Sequence, residues 1–233
     1  MSEAAAVSPI LAALPRHIDI SCVQAFHSMQ DIRELAADAR AGGFVSAHVL
    51  PGWVPLMREL LDGSETLTGS PAGFPSGGSM VAAKVFEAEQ LLAAGVQELD
   101  VVVNVGRLRS GDVRYVTAEL AELAELVGTS VPLRAILEVG YLDDDQIRAG
   151  CDCVLEAGVQ WVKTGTGWSG RATARHHVKI IAERVAGRAS IKAAGGIRNI
   201  ATVRDMVALG VTRFGMNAGV ARQLVAASVA EST

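Results

Sequence analysis

Two lysines of this chain stand where a charged side chain is costly. Lys163 lies in Trp161-Val162-Lys163-Thr164-Gly165-Thr166-Gly167, and Lys192 lies one strand-and-helix unit later in Ser190-Ile191-Lys192-Ala193-Ala194-Gly195-Gly196. Each follows a short apolar run and precedes a glycine motif. The chain holds four lysines against seventeen arginines, so its surface positive charge is carried by Arg. Burial disfavours the ammonium form and lowers a lysine's pKa, and the resulting amine is a nucleophile toward carbonyl carbon. Arg offers no such route, because its guanidinium stays protonated. A single lysine so placed reads as a core-edge residue whose ammonium reaches solvent. Two on neighbouring strands, both before glycines, point to chemistry.

Something must hold these lysines, and the pattern along the chain says what. A β-rich run followed by a helical pattern recurs from end to end. The predicted strands are 18–21, 44–50, 66–72, 98–105, 133–139, 161–166, 189–194 and 213–217. The predicted helices are 31–41, 54–61, 80–94, 113–126, 144–157, 174–186, 200–209 and 218–230. Eight such units within 233 residues, with no linker or composition break, predict an α/β fold, a (β/α)8 TIM barrel forming a single domain over 1–233, with 1–14 as an N-terminal extension. An open dinucleotide-binding sheet would require G-x-G-x-x-G after an early strand and an acidic residue after the next, and neither is present.

Barrel sites lie at the carboxyl ends of the strands, where alternate residues face inward. Reading by that alternation brings together Asp19 and Ser21 from the first strand, His48 from the second, Asp100 and Asn104 from the fourth, Glu138 from the fifth, Lys163 from the sixth and Lys192 from the seventh. Taken one at a time, each carboxylate reads equally as a solvated strand end or a helix cap, and His48 as a core histidine. Taken together, carboxylates would keep one lysine charged while its neighbour, repelled, loses its proton.

At these residues the chain resembles the deoxyribose-phosphate aldolase family of class I aldolases. The resemblance runs over nearly the whole chain. It is carried by Ile18-Asp19, Gly73-Phe74-Pro75, Lys84 to Glu87, Glu98 to Gly106, Ile136 to Glu138, Val162 to Gly167, Lys192 to Arg198 and Gly219-Val220. It implies a (β/α)8 barrel, with Lys163 as the imine-forming lysine, Lys192 as the lysine that tunes it and Asp100 as the carboxylate that moves protons with Lys192 and water. It also implies reversible retro-aldol cleavage of 2-deoxy-D-ribose 5-phosphate to glyceraldehyde 3-phosphate and acetaldehyde, with no cofactor.

The departures from the family fall on recognition. The first-strand motif, usually Asp-His-Thr, reads Asp19-Ile20-Ser21; His48 replaces a cysteine; Gly165 replaces a serine; the loop after Gly167 is shortened to Trp168-Ser169-Gly170-Arg171-Ala172-Thr173. On strand eight the hydroxyl residues that help hold the substrate phosphate are replaced by Asn217 and Ala218. The phosphate is then expected to rest on Gly195 and Gly196, with Arg171 or Arg198 supplying charge, and phosphate recognition is expected to be weakened. Two other readings stand beside this one: a divergent class I aldolase for a different or unphosphorylated carbonyl, and a barrel that binds a sugar phosphate without turnover. An imine-forming lysine has no use in the latter.

The remaining composition excludes classes rather than naming one. Net charge is −4, with no basic run, so a nucleic-acid partner is not expected. No apolar stretch approaches the roughly 18 residues of a membrane span, and the N-terminus lacks a basic-then-apolar leader, so a cytoplasmic protein is expected. Cys22, Cys151 and Cys153 have neither the number nor the spacing of a disulfide set or zinc site; free thiols and no metal are expected. The expected partners are a small sugar phosphate or aldehyde and further copies of the chain, as a dimer or tetramer.

Overall fold

The structure is a computed structural model and describes residues 8–230. Eight parallel strands close on themselves in sequence order: β1 Ile18–Cys22, β2 Ser46–Val49, β3 Leu67–Ala72, β4 Glu98–Val102, β5 Leu133–Ile136, β6 Trp161–Lys163, β7 Ser190–Ala194 and β8 Val211–Met216. The helices are α1 Pro9–Ala12, α2 Met29–Gly42, α3 Val54–Leu60, α4 Val81–Ala93, α5 Val105–Arg109, α6 Val113–Val127, α7 Asp144–Glu156, α8 Arg175–Val185, α9 Ile200–Ala208 and α10 Ala218–Ala230. The barrel is therefore as expected. Residues 1–7 of the expected extension lie outside the described residues; from Pro9 the chain is helical, and Leu14 is buried in the core.

Each barrel helix buries an apolar stripe against the strands, as Val116, Leu120, Leu123 and Val127 do on α6. Local chemistry sets several starts. Ser28 and Asp31 form a capping box on α2, and Asp143 with Gln146 forms one on α7.

The strands near the site are shorter than their apolar runs suggest. β4 stops at Val102 because Asn104 turns the chain into α5, its Oδ1 taking the Arg107 N–H. β5 stops at Ile136, and Glu138 follows with a left-handed backbone, φ 56°.

Inside, this barrel departs from the usual layers of branched apolar residues. Asp19, His48, Glu98, Asp100, Arg134, Lys163 and Lys192 are all buried, and Arg213 joins them. Three carboxylates thus face four cationic side chains around one imidazole.

Candidate active site

Lys163 and Lys192 are direct partners in the register of β6 and β7, so the closed sheet itself sets their separation. Both reach Asp100 on β4: Lys163 Nζ is 2.6 Å and Lys192 Nζ 3.2 Å from the same oxygen, Oδ2. Lys192 is also 2.7 Å from Asp19 Oδ2. Lys163 is 9% exposed and Lys192 1%, so Lys163 is the more open of the two to a molecule in the cavity.

Below them lies an ion network. Arg134 Nη2 is 2.5 Å from Glu98 Oε1, and Arg134 Nη1 is 3.4 Å from Asp100 Oδ1. Arg213 bridges Asp19 Oδ1, at 2.5 Å, and Glu98 Oε1, at 2.8 Å. Ser46 donates to Asp19 Oδ1 at 2.7 Å. Removing this many charges from water is expensive, and the short contacts between opposite signs offset it.

The protonation preferences follow. Burial alone would push the Asp100 carboxyl up; Lys163, Lys192, His48 and Arg134 outweigh it and hold Asp100 well below the usual carboxylate range. Asp19 is likewise held down against its burial by Lys192, Arg213, His48 and Arg134. Burial brings Lys192 down to about 8, even though Asp100 and Asp19 favour its charge. The expected opposition of the two lysines contributes, as Lys163 also lowers Lys192, but desolvation is the larger cause.

Asp19, His48 and Glu98 converge closely enough to hold a cation, the one such group of His, Cys, Asp and Glu among the described residues. Their oxygens are already engaged by Lys192, Arg134 and Arg213, so a metal ion would have to displace two guanidinium groups. The donor set fits an ion-pair network better than a metal.

His48 lies over Gly69 of β3. A Cβ at Gly69 would stand 2.3 Å from the ring's Cε1 and Nε2. Gly69→Ala is expected to destabilise the fold by about 1–3 kcal/mol through overpacking, measured as a lowered urea midpoint. In the His48→Ala background the same change should be nearly neutral.

A cavity of about 420 Å³ opens above the lysines, lined by Asp19, Ser21, His48, Asp100, Lys163 and Lys192 at its base. Gly195, Gly196, Arg198 and Asn217 line one side, and Val23, Phe26 and Phe74 belong to the other loops. Gly196 adopts φ 77°, and a Cβ there would meet Ala172 Cβ at 2.5 Å, so only glycine fits the turn.

Four of the residues read from the sequence are placed elsewhere. Asn104 caps α5, and its backbone N–H donates to Glu119 Oε2, because β4 ends two residues before it. Arg171 donates from Nη1 to the Gly140 carbonyl at 2.8 Å and packs over Tyr141, so it turns away from the cavity. Ala218 begins α10 and does not line the cavity. Glu138 is buried and accepts hydrogen bonds from the Thr166 backbone N–H, at 3.1 Å, and from the Thr166 hydroxyl. It therefore shapes the Lys163 loop rather than the cavity wall. Gly165 makes room for it, since a Cβ there would stand 2.8 Å from Glu138 Oε1.

Glu98, Arg134 and Arg213 are the members that the strand-end reading passed over. Glu98 shares the alternation of Asp100 and was available to it. Arg134, flanked by Leu133, Ala135 and Ile136, signalled itself as a charge inside an apolar strand.

An amine in contact with a carboxylate, at the base of a barrel cavity the size of a small sugar, is the arrangement of lyases that cleave carbon–carbon bonds through a lysine imine. No family model matches the chain. Deoxyribose-phosphate aldolases of Sinorhizobium medicae and Klebsiella pneumoniae are 51% identical over 216 residues and 43% over 214; the matches cover 92% and 91% of this chain and 86% of each relative. The deoxyribose phosphate aldolase of Aeropyrum pernix, described as having a unique tetrameric structure, superposes with a TM-score of 0.84 at 26% identity, covering 93% of this chain and 91% of that one. The chain belongs to the deoxyribose-phosphate aldolase family.

Proposed function

We propose that this chain is a class I aldolase that reversibly cleaves 2-deoxy-D-ribose 5-phosphate to glyceraldehyde 3-phosphate and acetaldehyde. The observation that carries the reading is Asp100 Oδ2 held between two lysines, 2.6 Å from Lys163 and 3.2 Å from Lys192, at the base of the cavity. The substrate assignment is supported by the names of the relatives.

The amine form of Lys163 attacks the C1 aldehyde of the open-chain sugar and, with loss of water, forms an iminium. Lys192 and Asp100, through a water, remove the C3 hydroxyl proton as the C2–C3 bond breaks. Its electron pair passes into the iminium and leaves an enamine, while C3 departs as the aldehyde of glyceraldehyde 3-phosphate. The enamine takes a proton at C2, and hydrolysis releases acetaldehyde and restores Lys163. The test is borohydride reduction in the presence of acetaldehyde, followed by peptide mass mapping, alongside cleavage assayed with and without EDTA. An adduct on Lys163 and activity indifferent to EDTA support the reading; an adduct elsewhere, or activity restored only by added zinc, overturns it.

The phosphate end is assigned to Gly195, Gly196 and Arg198, with Asn217 beside them, since these line the cavity and Arg171 does not. A charge-assisted contact is worth about 1.5–3 kcal/mol. Arg198→Ala is then expected to lower kcat/KM for the phosphorylated sugar by about 10–150-fold while leaving 2-deoxyribose unchanged. Arg171→Ala should leave the ratio of the two substrates as it is. The second reading, an aldolase for a different or unphosphorylated carbonyl, is favoured by Asn217 and Ala218, which bring no hydroxyl. Equal kcat/KM for the two sugars would establish it.

The reading includes self-association, supported by the exposed Phe26, Met29, Met80 and Phe86. It also includes a cytoplasmic setting, which the free thiols of Cys22, Cys151 and Cys153 fit. No helix among the described residues is long and apolar enough to cross a membrane.

A further inference from the structure

Lys192 has a difficulty in the role just given. An amine whose pKa lies near 8 is mostly protonated at neutral pH, and an ammonium takes up no hydroxyl proton. Its proton must have somewhere to go, and Asp100, held well below the carboxylate range, is a poor place to keep one.

His48 offers another. Lys192 Nζ faces two carboxylate oxygens, Asp19 Oδ2 at 2.7 Å and Asp100 Oδ2 at 3.2 Å. The imidazole faces the same two atoms: Nε2 is 3.7 Å from Asp19 Oδ2, and Nδ1 is 3.6 Å from Asp100 Oδ2. Nε2 also lies 3.3 Å from Glu98 Oε2. Glu98 is ionised and only accepts, so the imidazole hydrogen sits on Nε2 and donates to it, which leaves Nδ1, 3.6 Å from Asp100 Oδ2, as the ring atom able to take a proton. The ring is held at this height by Gly69, whose missing Cβ leaves the space it fills.

We propose that His48 is a second seat for the Lys192 proton, reached through the Asp100 oxygen that both groups face. The inference rests on the aldolase reading and deepens it. The Lys192 ammonium gives its proton to Asp100 Oδ2, which passes it to His48 Nδ1 when the 3.6 Å between them closes to hydrogen-bond length. Lys192 is left as a free amine to receive the C3 hydroxyl proton, and the net charge of the site is unchanged. The imidazolium so formed has Asp19 on β1 and Glu98 and Asp100 on β4 against it. The cations around those carboxylates are Lys163 on β6, Lys192 on β7, Arg134 on β5 and Arg213 on β8. Burial first, and Lys192 second, hold the imidazole below its ordinary value, so once Lys192 is neutral one of these two is lifted and the imidazole accepts a proton more readily than before. One proton is thereby shared between two sites, each favoured when the other is empty. His48 acts through Asp100 and is a positioning residue for the proton.

The experiment uses the full chain, with His48→Asn and His48→Gln, and reads kcat/KM for 2-deoxyribose 5-phosphate from pH 6 to pH 9.5. Without the second seat, Lys192 is freed only by its own ionisation, so the acid limb moves up by about one pH unit. Relative to its value at pH 9, kcat/KM at pH 6.5 then falls about tenfold further than in the unsubstituted protein. A loss by the same factor at every pH, or none, overturns the proposal and leaves His48 a packing residue. Borohydride trapping of acetaldehyde on Lys163 is run beside it. An adduct in the unsubstituted protein with unshifted variant profiles defeats the His48 role alone, whereas no adduct defeats the imine reading. Should neither variant fold, the imidazole is followed by 15N NMR in the unsubstituted protein and in Lys192→Met. A His48 titration in two steps in the unsubstituted protein that becomes a single step with a raised midpoint in Lys192→Met supports the exchange. A single step in both proteins, or an unmoved midpoint, overturns it.

Discussion

Lys163→Arg should be folded and inactive. Arg keeps the length and positive charge that face Asp100 Oδ2 at 2.6 Å, so the ion network is preserved and the urea midpoint should stay close to that of the unsubstituted protein. Chemistry is another matter. A guanidinium forms no imine, and loss of a covalent nucleophile removes on the order of 10⁴-fold or more in kcat. The measurement is single-turnover cleavage of 2-deoxyribose 5-phosphate, with borohydride trapping as control. Residual turnover within about a hundredfold of the unsubstituted protein, accompanied by an adduct on Lys192, would reverse the assignment of the two lysines.

The largest effect on stability is expected outside the cavity. Lys84 on α4 and Glu119 on α6 form a fully buried pair, with Nζ 2.6 Å from Oε1. Lys84 also donates to the Val102 carbonyl at 2.7 Å, and Glu119 Oε2 accepts the Asn104 N–H at 2.9 Å. Burial works against both charges, pulling the lysine down and pushing the carboxyl up, and each holds its charge through the other. Glu119→Ala leaves the ammonium unpaired and should destabilise the fold by about 3–5 kcal/mol, a large share of the ~5–15 kcal/mol typical of a domain. Replacing both together, as Lys84→Met with Glu119→Leu, should restore most of that loss. Urea unfolding of the two variants decides the matter, and equal destabilisation of single and double variants would show that packing, not charge, is what Glu119 supplies. Because the pair is fastened to the end of β4, the double variant should keep its stability yet lose some activity through a loosened Asp100.

The two effects separate what periodicity conveys from what it hides. Strand positions in the barrel were legible because a strand buried on both faces must read as an apolar run, and each run stood out between helical patterns. The lysines and Asp100 were legible as charges interrupting such runs. Asn104 was misplaced because Val101-Val102-Val103 continues the apolar run past the point where a helix cap takes over, and a cap is settled by local hydrogen bonds that alternation does not carry. Arg171 was misplaced because a loop's direction depends on what it meets, here the Gly140 carbonyl, 31 residues away in sequence, and the neighbouring Tyr141 ring. Arg134 was legible in the same way, as a charge inside the β5 run, but its partners were not, since the pairing of Arg134 with Glu98 and of Arg213 with Asp19 exists only once β5 and β8 are closed against β4 and β1.

That charged layer also makes the barrel a blind alley. With Glu98, Arg134 and Arg213 filling the interior beneath the lysines, traffic enters and leaves on the side where the cavity lies, at the carboxyl ends of the strands. In the proposed reaction C1 is bonded to Lys163 at the base, which puts the three-carbon fragment between the enamine and the exit. The queue then has a fixed order: the phosphorylated aldehyde departs first and acetaldehyde last, and in synthesis the two-carbon partner must enter before the acceptor. A kinetic record of that queue is an inhibition pattern in which acetaldehyde competes with the sugar phosphate and glyceraldehyde 3-phosphate does not.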